Sequence, residues 1–237
     1  MTSLAVYGWA KPGIANFGDE LGPDILRRLG HRVVRAEARA AEVAICGSIL
    51  EKLVDAPKGC IVAGVGSMHM GKKLLPNPNH LDIRALRGEL TRKAMNEGSW
   101  TAAGDGWRNN GHTTDVPLGD PGILASALYE LAPRQAHRLG VVPHYIDGRT
   151  FPYADVTIDV TAPPHEVIYE ISKCSRILSS SLHGLIVAES LGIPAMRLPY
   201  HKVIGGDDKW VDYYTGVNSQ DTLMSSINGL LKVLEAL

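Results

Sequence analysis

Residues Ile171–Pro194 read ISKCSRILSSSLHGLIVAESLGIP. A short strand, Arg176–Leu178, enters Ser179-Ser180-Ser181 and passes straight into a run that suits a helix, Leu182–Leu191. A second short strand, Ala195–Leu198, follows Gly192 and Pro194. A strand that turns through small polar residues directly into a helix is the repeating unit of a parallel sheet.

The same alternation extends in both directions. Upstream of the serines lie strand Leu139–Val142, strand Val156–Val160 and helix His165–Lys173. Nearer the N-terminus come strand Leu4–Tyr7, helix Gly18–Leu29, a short strand at Val33-Val34, strand Val43–Cys46, a short helix Ile49–Val54 and strand Cys60–Val65. Arg84–Asn96 reads as a helix stopped at Gly98. Asp115–Leu118 leads through Gly119-Asp120-Pro121-Gly122 into a helix Ile123–Leu131. Leu223, Ile227, Leu230, Leu231 and Leu234 put an apolar stripe on a last helix, Gln220–Leu237. Polar, basic Pro133–Arg138 interrupts the pattern and reads as a linker. The expectation is therefore α/β: two Rossmann-like parallel-sheet halves, 1–135 and 136–237, facing a cleft.

Composition sets the class. The chain has 237 residues, 45% hydrophobic and 21% charged, which is enough to build a core without disulfide staples. Lys plus Arg is 24 against 25 Asp plus Glu, a net charge of -1, so a broad nucleic-acid surface is not expected. The cysteines are Cys46, Cys60 and Cys174, an odd number without CxxC, which argues against a disulfide framework and a zinc site. They suit a reducing compartment. The N-terminus has no signal-peptide pattern, and no apolar run approaches the ~18 residues a membrane span needs. A cytoplasmic location is the expectation, with any membrane role peripheral.

Parallel sheets bind ligands beyond the carboxyl ends of their strands. Ser179, Ser180 and Ser181 precede a helix whose N–H groups suit an anion, with His183 in its first turn; a serine cap and a surface histidine explain the same residues. His144, in Pro143-His144-Tyr145-Ile146-Asp147, falls where a cleft imidazole would work as acid or base, or where a structural histidine would sit. Asn16-Phe17-Gly18-Asp19-Glu20 opens the first helix; Asp19 suits a cap, and the polar pair suits a sugar hydroxyl. Arg84 and Arg87, three apart, would share one helical face with Arg92 on the same segment, as an oxyanion clamp or a solvated basic face. Lys209-Trp210-Val211-Asp212-Tyr213-Tyr214 offers a cation beside aromatics, or a packing motif. GxGxxG with its acidic partner, GxxxxGK[ST] and GxSxG are all absent, so a nicotinamide enzyme, an NTPase and an elbow hydrolase are not indicated.

Taken in order, these segments resemble the polysaccharide pyruvyl transferase family. The resemblance runs through Asn16–Pro23, Gly47–Leu50, Arg87–Thr91, Leu118–Pro121, Pro143–Tyr145, Ile171–Pro194 and Lys209–Tyr214. It implies a GT-B-like fold, phosphoenolpyruvate as donor, a sugar of a glycan or glycolipid as acceptor, a pyruvate ketal as product, and neither metal nor organic cofactor. A lipid-linked acceptor would place the enzyme at the inner membrane surface. Many relatives carry Arg-Leu-His where this chain has Ser181-Leu182-His183, so another cation must meet the donor; Arg87, Lys209 and Arg108 are the candidates. His183, His144 and Asp19 are expected as catalytic residues, Ser179–Ser181 as donor-binding, and Asn16, Gly18, Asp120 and Tyr145 as acceptor-binding. A nucleotide-sugar glycosyltransferase and a non-catalytic carbohydrate-binding relative are the competing readings.

Overall fold

The computed structural model describes residues 3–9, 13–68, 80–97, 113, 115–133, 135–202, 206–217 and 220–237. In chain order the elements are β1 (Leu4–Tyr7), α1 (Phe17–Arg28), β2 (Val33–Arg35), β3 (Val43–Ile45), β4 (Cys60–Val65), β5 (Leu81–Leu86), α2 (Glu89–Glu97), α3 (Ala125–Leu128), β6 (Gly140–Val142), β7 (Val156–Thr157), α4 (Pro164–Ser172), β8 (Ile177–Ser179), α5 (Leu182–Ser190), β9 (Ala195–Arg197), α6 (Asp208–Gly216) and α7 (Gln220–Glu235). The strands form two wholly parallel sheets, ordered β2-β1-β3-β4-β5 and β7-β6-β8-β9. The α/β class and the parallel sheets match the expectation.

Each sheet belongs to its own compact unit. The first unit comprises Met1–Trp9, Leu26–Pro121 and Asp207–Leu237; the second comprises Ala10–Ile25 and Gly122–Gly206. A single cut between residues 135 and 136 does not describe these units, because residues 207–237 pack with the first sheet. The reason is apolar burial: α7 lies against β4 and β5, with Leu230 and Leu234 fully buried. His31 Nε2 meets the Leu234 carbonyl at 2.8 Å, which fixes the last turn of α7.

In the first unit, β3 and β4 are central strands and nearly every residue of both is buried, as expected for strands covered on both faces. Their side chains join Ile49, Leu50, Leu53, Leu81, Leu86 and Met95 in one core cluster. In the second unit, Val141, Val142, Ile168, Ile171, Leu185 and Ile186 are buried, with α5 packed on β8 and β9 and against α4. α5 is apolar nearly all round, LHGLIVAES, and six of its nine residues are buried.

Several local expectations need correction. Arg84–Asn96 is not one helix: Leu81–Leu86 is a strand and the helix is Glu89–Glu97. Arg84 bonds Asp82 two residues away on the strand, and parallel pairing with β4 overrides the helical spacing. The expected helix Ile123–Leu131 is a 3-10 turn, Pro121–Leu124, and a single α turn, Ala125–Leu128. Residues 50–55 are likewise 3-10. Pro133–Arg138 is not a loose linker, since Ala136 and His137 both donate to the Lys173 carbonyl and His137 bridges Cys174. Lys209–Tyr214, read only as a motif, is most of helix α6.

Candidate functional site

Both sheets have the strand order in which the first strand lies between the second and third. The chain reverses winding direction there, so crevices open beyond the carboxyl ends of the two neighbouring strands. In the second sheet those strands are β6 and β8. β6 runs into His144 and Tyr145; β8 runs into Ser179, Ser180 and Ser181.

The serines are held by the fold before any ligand is considered. Ser179 Oγ donates within bond distance of the Val142 carbonyl (2.9 Å) and the Ser181 carbonyl (2.7 Å), and accepts from Ser181 N. Ser180 Oγ donates to Asp147 Oδ2 at 2.6 Å and accepts from His144 N at 2.9 Å. Ser181 caps α5, accepting from Gly184 N at 3.4 Å. Ser179 and Ser180 thus tie the turn after β8 to the turn after β6, while Ser181 Oγ is an acceptor at the start of α5.

His144 is oriented by its own turn. Ile146 N donates to His144 Nδ1 at 3.4 Å, so the neutral ring carries its proton on Nε2. The ring stacks on Tyr145 with centroids 4.5 Å apart. Burial, and then the charge of Asp19, push the Tyr145 phenol above its ordinary pKa. Beside this turn, Asp147 is buried. Burial alone would raise its pKa, but the hydrogen bonds from Arg149 and Ser180 outweigh that and hold it below the ordinary value.

The start of α1 reaches the same place. Phe17 N donates to the Val160 carbonyl at 2.8 Å, so the helix begins against the second sheet's unit. Asn16, not Asp19, is the cap: its Oδ1 accepts from Gly18 N at 3.4 Å, and its Nδ2 donates to Asp19 Oδ2 at 2.9 Å. Asp19 sits where the reciprocal acceptor of a capping box belongs. Gly18 is required by its neighbour, since a Cβ there would overlap His183 Nδ1. The Phe17 ring meets His183 edge-on, with centroids 6.5 Å apart. Asn16, Gly18, Asp19, His144, Tyr145, Ser179–Ser181 and His183 thus share the second unit, and the acceptor-side and donor-side expectations converge there.

The remaining expected residues lie elsewhere. Arg87 is fully buried in the first unit. Its Nε pairs with Asp212 at 2.8 Å, its Nη1 donates to Ser48 Oγ and its Nη2 to the Ser67 carbonyl at 2.9 Å. Asp212 also accepts from Thr91 N and Thr91 Oγ1. Arg87 is therefore neither on a helix with Arg84 nor part of a solvated basic face. It clamps the turns after β3 and β4 to α6. Lys209 is 7% exposed on α6, and Asp120 is buried, accepting from Cys46 Sγ at 3.3 Å. Arg108 lies outside the described residues. The sequence reading missed Asp147, Arg149 and Tyr200. Only the reach of Arg149 toward Asp147, two residues back, leaves any local trace.

The same segment carries the likeness to known proteins. Residues 119–202 match the family polysaccharide pyruvyl transferase, so the stretch from Gly119 through β6, β8, α5 and β9 has that family's pattern. The chain is 27% identical over 192 residues to the succinoglycan biosynthesis protein ExoV of Rhizobium meliloti, covering 76% of this chain and 54% of that one. It is 32% identical over 113 residues to an uncharacterized protein of Acanthamoeba polyphaga mimivirus, covering 42% of this chain and 39% of that one. The chain thus spans between about two fifths and just over half of the length of these curated relatives. Among the described residues no helix is long and apolar enough to cross a membrane.

Proposed function

We propose that the chain is a pyruvyl transferase acting in polysaccharide biosynthesis, with phosphoenolpyruvate as donor and two hydroxyls of one glycan sugar as acceptor. One observation carries this reading most: His144, His183, Asn16 and Asp19 gather at the switch point of the second sheet, within or beside the family-matched residues 119–202. The GT-B-like arrangement of the two units, a cytoplasmic site of action and an acceptor presented at the inner membrane surface belong to the same proposal. No metal or organic cofactor enters it, because phosphoenolpyruvate itself carries the activated group.

The chemistry suits the residues. A proton adds to the donor's methylene carbon, making it a methyl group and its neighbour an electrophile. The first sugar hydroxyl bonds to that carbon and loses its proton. The carbon–oxygen bond to phosphate breaks, and phosphate leaves. The second hydroxyl then bonds to the same carbon and loses its proton, closing the ketal. Of the two hydroxyl protons, one balances the proton given to the methylene and one leaves with phosphate. His183 serves as the donor-side acid, held by Phe17 and the gap at Gly18. His144, with its Nδ1 occupied by Ile146 N, presents Nε2 as the second acid or base. Asn16 and Asp19 orient the acceptor. An imidazole working near neutrality can take both proton roles.

The test is phosphate release from phosphoenolpyruvate with galactoside, mannoside and glucoside acceptors. Acceptor-dependent release that falls about 100-fold or more in His183→Ala supports the reading. Near-wild-type turnover of that variant removes His183 from the mechanism. No release with any acceptor, with thermal stabilisation by a nucleotide sugar instead, would replace the reading with glycosyl transfer.

A further inference from the structure

The donor proposed above carries a phosphate and a carboxylate, so its site needs fixed positive charge. Ser181 caps α5 and is neutral, so it provides none. Arg87 is buried with its Nε and both Nη atoms bonded inside the first unit. The second unit offers Arg149, in the turn that follows His144.

Arg149 is held on several sides. Its Nε and Nη2 bond Asp147 Oδ1 and Oδ2 at 2.8 and 2.7 Å, a two-pronged pairing that fixes the guanidinium plane. Asp147 is itself fixed, with its N–H on the His144 carbonyl at 2.6 Å and its Oδ2 on Ser180 Oγ. The guanidinium carbon lies 4.8 Å from the Tyr200 ring centroid and 5.6 Å from that of Phe151. Tyr200 is anchored in turn, its hydroxyl donating to the Ile146 carbonyl at 3.1 Å. The Asp147 side chain is fully buried while that of Arg149 is 41% exposed, so the pair has one buried end and one open end. Nη1 has no partner among the described residues.

A structural ion pair would need neither the aromatic seats nor the link through Ser180 to the backbone of His144. These contacts fix a charged fork, open at Nη1, in the same turn as a proposed catalytic histidine. We propose that Arg149 is the donor-binding cation of this chain, taking an oxyanion of phosphoenolpyruvate on its open Nη1–Nη2 edge. The assignment rests on the pyruvyl transfer reading. Asp147 and Ser180 are then positioning residues that set the fork relative to His144.

The experiment compares wild type, Arg149→Gln and Arg149→Lys of the full chain in acceptor-dependent phosphate release, with a thermal melt of each. Arg149→Gln should raise KM for phosphoenolpyruvate about 10- to 100-fold, as expected for losing a charged hydrogen-bond partner, and leave the acceptor KM unchanged. Arg149→Lys, which keeps the charge without the fork, should fall between, and it carries the test if Arg149→Gln melts far below wild type. Inhibition by inorganic phosphate and by pyruvate, measured on each variant, tells the two oxyanions apart. Weakening of either inhibitor supports the role and names the group held. An unchanged donor KM with unchanged inhibition by both overturns it. A wild type that releases no phosphate with any acceptor overturns the pyruvyl reading itself, and this role with it.

Discussion

Gly18 and His183 show how one missing methyl group can shape a site. Replacing a helical glycine by alanine ordinarily stabilises a helix by about 0.5–1 kcal/mol. At Gly18 the added Cβ would overlap the His183 ring, which is itself boxed by Phe17. Gly18→Ala should therefore lower the melting temperature rather than raise it, and should cut turnover by displacing the imidazole. A melt and a rate measurement on the same preparation check both; a stabilised variant with full activity would show that His183 has room to move. The histidines and Asn16 were legible in the sequence because each directly follows a strand or opens a helix. Arg149 was not. Its place depends on Asp147, Ser180 and Tyr200, and the contacts to Ser180 and Tyr200 span 33 and 54 positions of sequence through Asp147 and Ile146. No local spacing encodes them.

Among elements, the contact between α2 and α6 is the tightest test of the fold. Gly88 lets α6 approach so closely that a Cβ would overlap the Asp212 backbone oxygen. This brings the Asp212 carboxylate onto Arg87 and Thr91, all within the interior. Arg87→Met leaves that carboxylate buried without its cation, a change that costs about 3–5 kcal/mol in such settings. Urea unfolding of the full chain should show this loss, and Arg87→Met combined with Asp212→Leu should recover much of it. A single variant as stable as wild type would mean the pair contributes nothing. The pair is not legible in the sequence because the expected helix Arg84–Asn96 takes in the second half of β5 and puts Arg87 on a helical face. LDIRAL carries Asp82 and Arg84, whose charges suit a helix surface, and only pairing with β4 makes it a strand. α6 was missed for the related reason that its buried Lys209 and Asp212 look like surface residues when read alone.

Across the whole molecule, each unit holds a buried thiol whose titration reports on its integrity. Burial pushes the Cys60 thiol up to about 11, and burial, followed by the charges of Glu170 and Asp155, does the same for Cys174. A thiol ionises more readily in the unfolded chain, near its ordinary value of 9.0. The stability it contributes is therefore complete below pH 9 and is lost as pH rises toward 11. Stability should fall over that alkaline window, and Cys60→Ala with Cys174→Ala should flatten the fall. At pH 8 both thiols should stay unmodified by a thiol reagent in the folded protein and react once it is denatured. Rapid modification of the folded protein would mean that one unit opens readily. The α/β class was legible at this scale because glycine-ended apolar runs repeat along the chain; the division into units was not, because packing of α7 joins distant segments.

That division bears on the order in which the protein is made. Every residue of the second unit, Ala10–Ile25 and Gly122–Gly206, has been synthesised before Asp207 begins the last segment of the first unit. The strands of the first sheet are all synthesised before those of the second, but the first unit is completed last. Arg87 precedes its counterion Asp212 by 125 positions, a wait of about 6–25 s at usual translation rates. For that interval the nascent first unit contains a cation that its interior cannot yet neutralise, so the unit stays unfinished until α6 and α7 arrive to cover it.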